Sequence, residues 1–276
     1  MRRPSYLAFI VALHVATAVA LLIFFWADWV RIIRGFFRSV VRGIRERHFS
    51  AADADERLAW LIVIATIPVG LTGLLLEHTL RTIFAKPMSA AVLLMVNGLI
   101  LLAGERLRRR SVERVPVAAS GAVAASGAVA DGEVVADEGG VSAVESDRRL
   151  AALRYRDGVY VGLWQIPALL AGISRSGATM VGGLTRGLNH EDAARFAFLL
   201  ATPVILAAGV LKLPSLAGPA GDHIHGQVVV GVIVAGVAAY LSVRFLVRYF
   251  ETRTLTPFAI YCLIAGAASI IRFGVG

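Results

Sequence analysis

The chain has 276 residues, of which 57% are hydrophobic, and its mean hydropathy is +0.72. A soluble domain is usually about 45–50% apolar, so this composition indicates a membrane protein and argues against a soluble fold. The single cysteine, Cys262, excludes a disulfide framework within the chain and a cysteine-based metal cluster. The net charge of +9 comes almost wholly from arginines beside apolar runs, which fits an anionic membrane surface better than nucleic acid.

Six apolar runs are long enough to cross the hydrocarbon core of a membrane as helices. They cover residues 7–27, 58–76, 88–104, 196–213, 227–247 and 256–272. Open strands would leave backbone groups without partners in lipid, and no ten-residue alternation typical of a barrel is present. We therefore predict an all-α integral membrane protein with about six transmembrane helices.

The segment 159–185 has a different pattern. It is apolar from Val159 to Ile173, breaks at a polar cluster, and resumes only weakly before Arg186. Two short arms around a Gly-rich break are typical of a re-entrant helix–loop–helix, which is tolerated only when it is buried in protein or lines a cavity. A continuous, kinked span is the alternative.

The arginines indicate the orientation. The basic connections at 31–47 and 106–114 are predicted to be cytoplasmic, and the loop 214–226, which has no lysine or arginine, to face outward. This scheme is consistent only if 159–185 enters and leaves from the cytoplasmic side. The N-terminus would then lie outside.

A low-complexity linker is predicted at 115–147, where Ala-Ser-Gly-Ala-Val-Ala occurs twice in succession. Such a composition has no face to pack, so we expect it to be disordered and to carry no chemistry. It separates an N-terminal unit of three spans, 1–114, from a C-terminal unit, 148–276, with the re-entrant segment and three spans. Three and three spans resemble the two repeat-like halves of transporter folds.

The re-entrant segment contains the motif Gly-Ile-Ser-Arg-Ser-Gly-Ala-Thr at 172–179. A charge at membrane depth is costly and indicates function by default, and arginine offers planar donors that match phosphate oxygens. Hydroxyls and exposed backbone N–H groups would complete an anion site. The alternative is a small-residue hinge with the arginine reaching to an interface. The candidate ligand-binding residues are Gly172, Ser174, Arg175, Ser176, Gly177 and Thr179.

Together with Gly-Leu-Trp-Gln at 162–165 and the run 193–203, this motif resembles the bacterial undecaprenyl-diphosphatase family, membrane phosphatases also associated with bacitracin resistance. Segments 11–17 and 64–68 are similar to the family as well, so the resemblance covers nearly the whole chain except the linker. Ala171 replaces a usual proline. The family's first, acidic signature with its glutamates is absent, which indicates either a start upstream of Met1 or a divergent member.

The resemblance implies hydrolysis of undecaprenyl diphosphate in the bacterial cell membrane, which recycles the lipid carrier of cell-wall synthesis. Arg175 would stabilise charge on the transferred phosphoryl group, and Ser174 would be the nucleophile or a phosphate ligand, although the motif contains no base. Gln165 is a further substrate-binding candidate because it could reach the loop. A hydrogen bond from Gln165 to a neighbouring helix is the alternative that we favour.

By resemblance alone, Mg²⁺ is expected as a cofactor, while no carboxylate cluster of the sequence indicates a metal site. The expected partners are a polyprenyl diphosphate lipid and the membrane. Two alternative functions stay open. One is a transporter or flippase for a phosphorylated lipid, and the other is a catalytically silent lipid-binding relative.

Overall fold

The computed structural model describes residues 3–47, 51–83, 87–113, 146–212 and 225–274, and the regular elements within these ranges are helical. A short helix at 146–151 and a 3₁₀ turn, Pro167–Leu169, accompany the longer helices. Residues 114–145, which hold almost all of the predicted linker, lie outside the described ranges. The longer helices are α1 (Arg3–Phe24), α2 (Trp26–Glu46), α3 (Ala54–Ile83), α4 (Pro87–Glu113), α5 (Tyr155–Leu163), α6 (Arg175–Leu184), α7 (His190–Lys212), α8 (His225–Thr252) and α9 (Thr256–Gly274).

The described helices include five that are long and apolar enough to cross a membrane, namely α3, α4, α7, α8 and α9. A further candidate span consists of α1 and α2, which meet at Phe25 with a bend of 84°. Each of the predicted apolar runs coincides with one of α1, α3, α4, α7, α8 and α9. The prediction of an all-α, multi-pass membrane protein is therefore confirmed.

The buried core lies around α7, whose Phe196, Leu199 and Leu200 are almost completely enclosed. Helices α1, α3, α6 and α8 all contact α7. By contrast, α8 exposes most of its apolar side chains, such as Val230 and Val234. Because a long apolar face of this kind is stable only in an apolar solvent, α8 lies at the lipid-facing periphery.

The predicted re-entrant segment consists of α5 and α6, and α5 forms its inward arm. Gly158 of α5 contacts Leu61 of α3, and Gly162 contacts Ala65, so the two helices run side by side in the same direction. A side chain at position 162 would collide with the backbone of α3, which explains the glycine there. The helix α5 therefore enters from the end at which α3 begins.

The helix α6 forms the returning arm. Leu101 of α4 contacts Gly177, and Gly104 contacts Val181, so α6 runs in the same direction as α4, toward the arginines at 106–110. Residues 164–174 interrupt the helix between the two arms, and the alternative of one continuous span is therefore wrong. Both arms connect to the arginine-rich end of the molecule, as the orientation scheme requires.

A charge cluster of Asp28, Arg31, Asp147 and Arg195 joins distant parts of the chain at this end. Arg31 Nη2 donates to Asp28 Oδ1 and Asp147 Oδ2, both at 2.6 Å. Arg195 Nη2 lies 2.8 Å from Asp28 Oδ1 and 2.9 Å from Asp147 Oδ1. The cluster thereby ties α2, the short helix 146–151 and α7 together. Beside it, Arg149 Nε donates to Asp192 Oδ2 at 2.6 Å.

Candidate anion-binding site

The motif turn, residues 170–174, joins the 3₁₀ turn Pro167–Leu169 to α6, and Ser174 caps the start of that helix. Its backbone is extended, and its Oγ accepts a hydrogen bond from the Gly177 backbone N–H at 3.2 Å. A serine in this position satisfies one of the free N–H groups of the first helical turn and leaves others available. These N–H groups and the positive end of the helix dipole favour an anion beside Ser174.

Asn97 of α4 anchors the turn. It is fully buried, and its Oδ1 accepts a hydrogen bond from the Ser174 backbone N–H at 3.1 Å. Its Nδ2 donates to Cys262 Sγ at 3.3 Å, which links the turn to α9 as well. The sequence analysis missed this residue. The available signal was that Asn97 is the only amide side chain in the predicted span 88–104.

Arg175 supplies the positive charge of the site. Its Nη1 is buried without a hydrogen-bond partner among the described residues, and no carboxylate in those ranges pairs with the guanidinium. A cation whose Nη1 is buried without a counter-charge costs free energy, and an anionic ligand would relieve that cost. The burial of Nη1 also disfavours the alternative of an arginine that reaches out to an interface.

The remaining motif residues are of two kinds, those placed to contact a ligand and those that support the turn. Ser176 is half-buried in the first turn of α6, next to Arg175. Thr179 is buried one turn further along, where its Oγ1 donates to the Arg175 carbonyl oxygen at 2.8 Å, so its proton is already used within the helix. Gly172 has a φ of +104° and packs against the backbone of α4. The geometry thus favours Ser174, Arg175 and Ser176 as ligand contacts and gives Gly172 and Thr179 structural positions.

Gln165 lies at the end of the inward arm and is fully buried. Neither Nε2 nor Oε1 has a hydrogen-bond partner among the described residues. The expected hydrogen bond to a neighbouring helix is therefore wrong for the described parts of the chain. An unpaired amide costs free energy on burial, so a ligand or a water molecule would relieve it.

A buried ion pair lies further along α4, away from the motif. Glu105 Oε2 is 2.8 Å from His190 Nε2 of α7, and Arg109 Nε is 3.4 Å from Glu105 Oε1. Glu105 follows Asn97 by eight residues, which is about 12 Å of helix rise. The sequence analysis anticipated neither this pair nor the role of His190. At that separation the pair fixes α4 to α7 and does not serve Ser174 as a base.

In this multi-pass membrane protein, the re-entrant hairpin places a serine-capped helix start beside Arg175, which is half-buried and has no ion-pair partner among the described residues. Such an arrangement is suited to an anionic group at membrane depth. The family model for Bacitracin resistance protein BacA matches residues 1–268, and the chain belongs to this family. The resemblance inferred from the motif is therefore confirmed.

Curated relatives are similar over nearly the whole chain. Undecaprenyl-diphosphatase 2 of Frankia alni is 57% identical over 291 residues, covering 98% of this chain and 83% of the relative. Undecaprenyl-diphosphatase of Mycolicibacterium paratuberculosis is 59% identical over 269 residues, covering 98% and 82%. The undecaprenyl-diphosphatase of Acidiphilium cryptum is 40% identical over 278 residues, covering 99% and 85%.

Proposed function

We propose that the chain hydrolyses undecaprenyl diphosphate to undecaprenyl phosphate and inorganic phosphate in the bacterial plasma membrane. The relatives named undecaprenyl-diphosphatase support the choice of substrate. The observation that carries the proposal is the buried, unpaired Arg175 Nη1 at the start of α6. Only an anion would supply the charge and the hydrogen bonds that this group lacks.

In this reaction a water oxygen attacks the terminal phosphorus, and the bond from that phosphorus to the bridging oxygen breaks. The bridging oxygen leaves with the lipid as undecaprenyl phosphate. Negative charge grows on the leaving oxygen and on the transferred group, so catalysis depends mainly on positioned donors. Arg175 would donate hydrogen bonds to these oxygens.

Ser174 acts as a phosphate ligand in this scheme. Its Oγ accepts the Gly177 N–H through one lone pair, which leaves the hydroxyl proton free to be donated to a phosphate oxygen. A serine nucleophile would need a base within hydrogen-bonding reach, and no described histidine or carboxylate contacts Ser174. The ligand role is therefore favoured over the nucleophile.

The depth of the motif turn suits a lipid headgroup. Gly172 lies against Ala90, which is three residues, or about 5 Å of rise, into α4 from its Pro87 end. That end is opposite to the arginines at 106–110, and Ser174 is exposed. These positions support access of the diphosphate from the side opposite to the arginines, while the prenyl chain stays in lipid.

Magnesium is expected as a cofactor from the family resemblance alone. The described residues contain no group of three His, Cys, Asp or Glu side chains that could hold a metal ion. The described residues therefore offer no preformed set of three protein ligands for magnesium, and the diphosphate of the substrate would have to supply ligands to the ion. A magnesium requirement stays a prediction.

The test is phosphate release from undecaprenyl diphosphate by the purified protein in detergent. We expect Arg175→Ala to lower kcat by about 100- to 1000-fold, the usual loss for a donor aimed at developing charge. Arg175→Lys should retain little of the phosphate-release activity, because an ammonium group cannot form the planar fork of donors. Arg156→Ala is the matched control, since Arg156 is exposed on α5 and forms no ion pair within the described ranges.

Three other outcomes would contradict the proposal. An unchanged rate of phosphate release in Arg175→Ala would contradict the role proposed for Arg175. Binding of the lipid without phosphate release would support the catalytically silent relative instead. Movement of intact lipid across liposomes without hydrolysis would support the transporter.

A further inference from the structure

The helix α2 has an apolar face that no other described helix covers. Its Trp26, Ile33, Phe37, Val41 and Ile44 are between 47% and 69% exposed. These positions recur at helical spacing, so they form one continuous stripe along the helix. A stripe of this size on a membrane protein requires an apolar solvent.

The arginines of α2 lie beside this stripe and divide into paired and free members. Arg38 Nη2 is 2.8 Å from Asp53 Oδ2, and Arg42 pairs with Glu56, which fixes α2 to the start of α3. Arg34 and Arg45 are exposed and have no ion-pair partner among the described residues. One side of α2 is therefore held by α3, while another presents free positive charge.

These features and the bend describe a helix that lies in the membrane surface. The helix α2 is bent by 84° from α1, so with α1 crossing the membrane α2 would run nearly parallel to the membrane plane. Its apolar stripe would contact acyl chains, and its free arginines would contact headgroups. Anionic headgroups are the chemistry that complements Arg34 and Arg45.

An apolar groove of about 550 Å³ runs between α2 and α3. Trp29, Phe36 and Phe37 of α2 line one wall, and Ile67 and Gly70 of α3 line the other. Trp29 Nε1 is buried without a hydrogen-bond partner among the described residues. Trp29 lines the groove, and its buried, unpaired indole N–H would gain a partner from the ester carbonyl of a lipid that enters there.

We propose that this groove binds one acyl chain of an anionic phospholipid from the leaflet on the arginine-rich side. Trp29 donates to the ester carbonyl of that lipid, and the free arginines of α2 attract its headgroup. The second apolar groove, about 610 Å³ between α1 and α8, has no unpaired polar side-chain atom among its described lining residues, whereas the first has the Trp29 Nε1. It therefore has no feature that would select a lipid headgroup. This inference does not depend on the proposed hydrolysis.

Gly70 permits a matched test of the groove. A side chain added to Gly70 would meet nothing within 4 Å, and the same is true of Gly73, which lies on α3 but does not line the groove. Gly70→Phe should therefore fill the groove without disturbing the fold, and Gly73→Phe is its control. Native mass spectrometry of the detergent-purified chain with phosphatidylglycerol and phosphatidylcholine measures the bound lipid. We expect Gly70→Phe to lower retained phosphatidylglycerol at least tenfold and Gly73→Phe to leave it unchanged.

The headgroup preference is tested with a second matched pair. We expect Arg34→Gln combined with Arg45→Gln to reduce the preference for phosphatidylglycerol over phosphatidylcholine by at least about fivefold, the factor for one basic residue near an anionic surface. Arg106→Gln combined with Arg110→Gln removes the same charge from exposed positions on α4 and should leave the preference intact. Equal effects of the two pairs would overturn the assignment of the headgroup to α2.

Two results would overturn the groove assignment. The first is equal retention of phosphatidylglycerol by Gly70→Phe and Gly73→Phe. The second is obtained with undecaprenyl phosphate as a further lipid in the same measurement. If Gly70→Phe retains less undecaprenyl phosphate but as much phosphatidylglycerol as the parent chain, the groove holds a prenyl chain. If Gly70→Phe does not fold, Ile67→Trp fills the same groove from its exposed rim and is measured in its place.

Discussion

Replacing Gly172 by alanine should displace the motif turn from α4. The residue has a φ of +104°, a conformation that side chains disfavour. An added Cβ would also collide with the carbonyl oxygen of Ala90 and lie 2.9 Å from the backbone N of Leu94. Both neighbours are helix backbone and cannot move aside, so the turn itself must shift.

The size of the effect follows from these two causes. Backbone strain of this kind costs about 1–3 kcal/mol, and overpacking adds about 1–3 kcal/mol more. Gly187 distinguishes the cost of backbone strain from the cost of overpacking, because its φ is +90° while nothing lies within 4 Å of an added Cβ. We therefore expect Gly172→Ala to lose about 2–6 kcal/mol and Gly187→Ala only about 1–3 kcal/mol.

Thermal unfolding in detergent and phosphate release measure the two consequences. Gly172→Ala should show a lower Tm than Gly187→Ala. Its rate of phosphate release at a temperature where both variants are folded should also fall, because Ser174 and Arg175 move with the turn. Equal Tm values, or a normal rate in Gly172→Ala, would refute the close packing of the turn on α4 as the origin of the glycine.

Three further predictions concern the support of the site. Asn97→Ala should lower phosphate release and destabilise the chain by about 1–3 kcal/mol, because the Ser174 N–H and the Cys262 contact lose their partner; activity equal to that of the parent chain would contradict this. His190→Ala leaves Glu105 buried beside Arg109 alone, so we expect a lower Tm with an unchanged KM, and an altered KM would place the pair closer to substrate. Removal of divalent cations with EDTA should stop phosphate release and added Mg²⁺ should restore it, and activity in EDTA would exclude the requirement.

The spans and the hairpin were predictable because each depends on local sequence. An apolar run of sufficient length specifies a membrane helix, and the break around Arg175 marks the turn. The amphipathic character of α2 was equally local, since apolar residues at 33, 37, 41 and 44 have helical spacing. It was not recognised because the arginines between them were used only for orientation.

The supports of the site depend on contacts between distant residues, which one sequence cannot reveal. Asn97 and Ser174 are 77 residues apart, and Glu105 and His190 are 85 residues apart. Asn97 is an isolated polar residue in an apolar span, and such residues have many possible partners. The packing of Gly172 on Ala90 likewise requires the register of α6 on α4, which only the three-dimensional arrangement fixes.

The charge cluster of Asp28, Arg31, Asp147 and Arg195 links the two halves of the chain, in addition to the packing of α4 on α9 and of α1 on α8. Asp147 lies two residues after the stretch 115–145 and is paired with Arg31 from before that stretch and with Arg195 from after it. A protease site inserted within 115–145 should therefore yield two fragments that remain associated after cleavage and elute as one complex. Co-expression of the two pieces as separate genes should reconstitute the protein. Asp147→Ala in the second piece should lower the Tm of the complex without separating it, because the helix packing between the pieces remains.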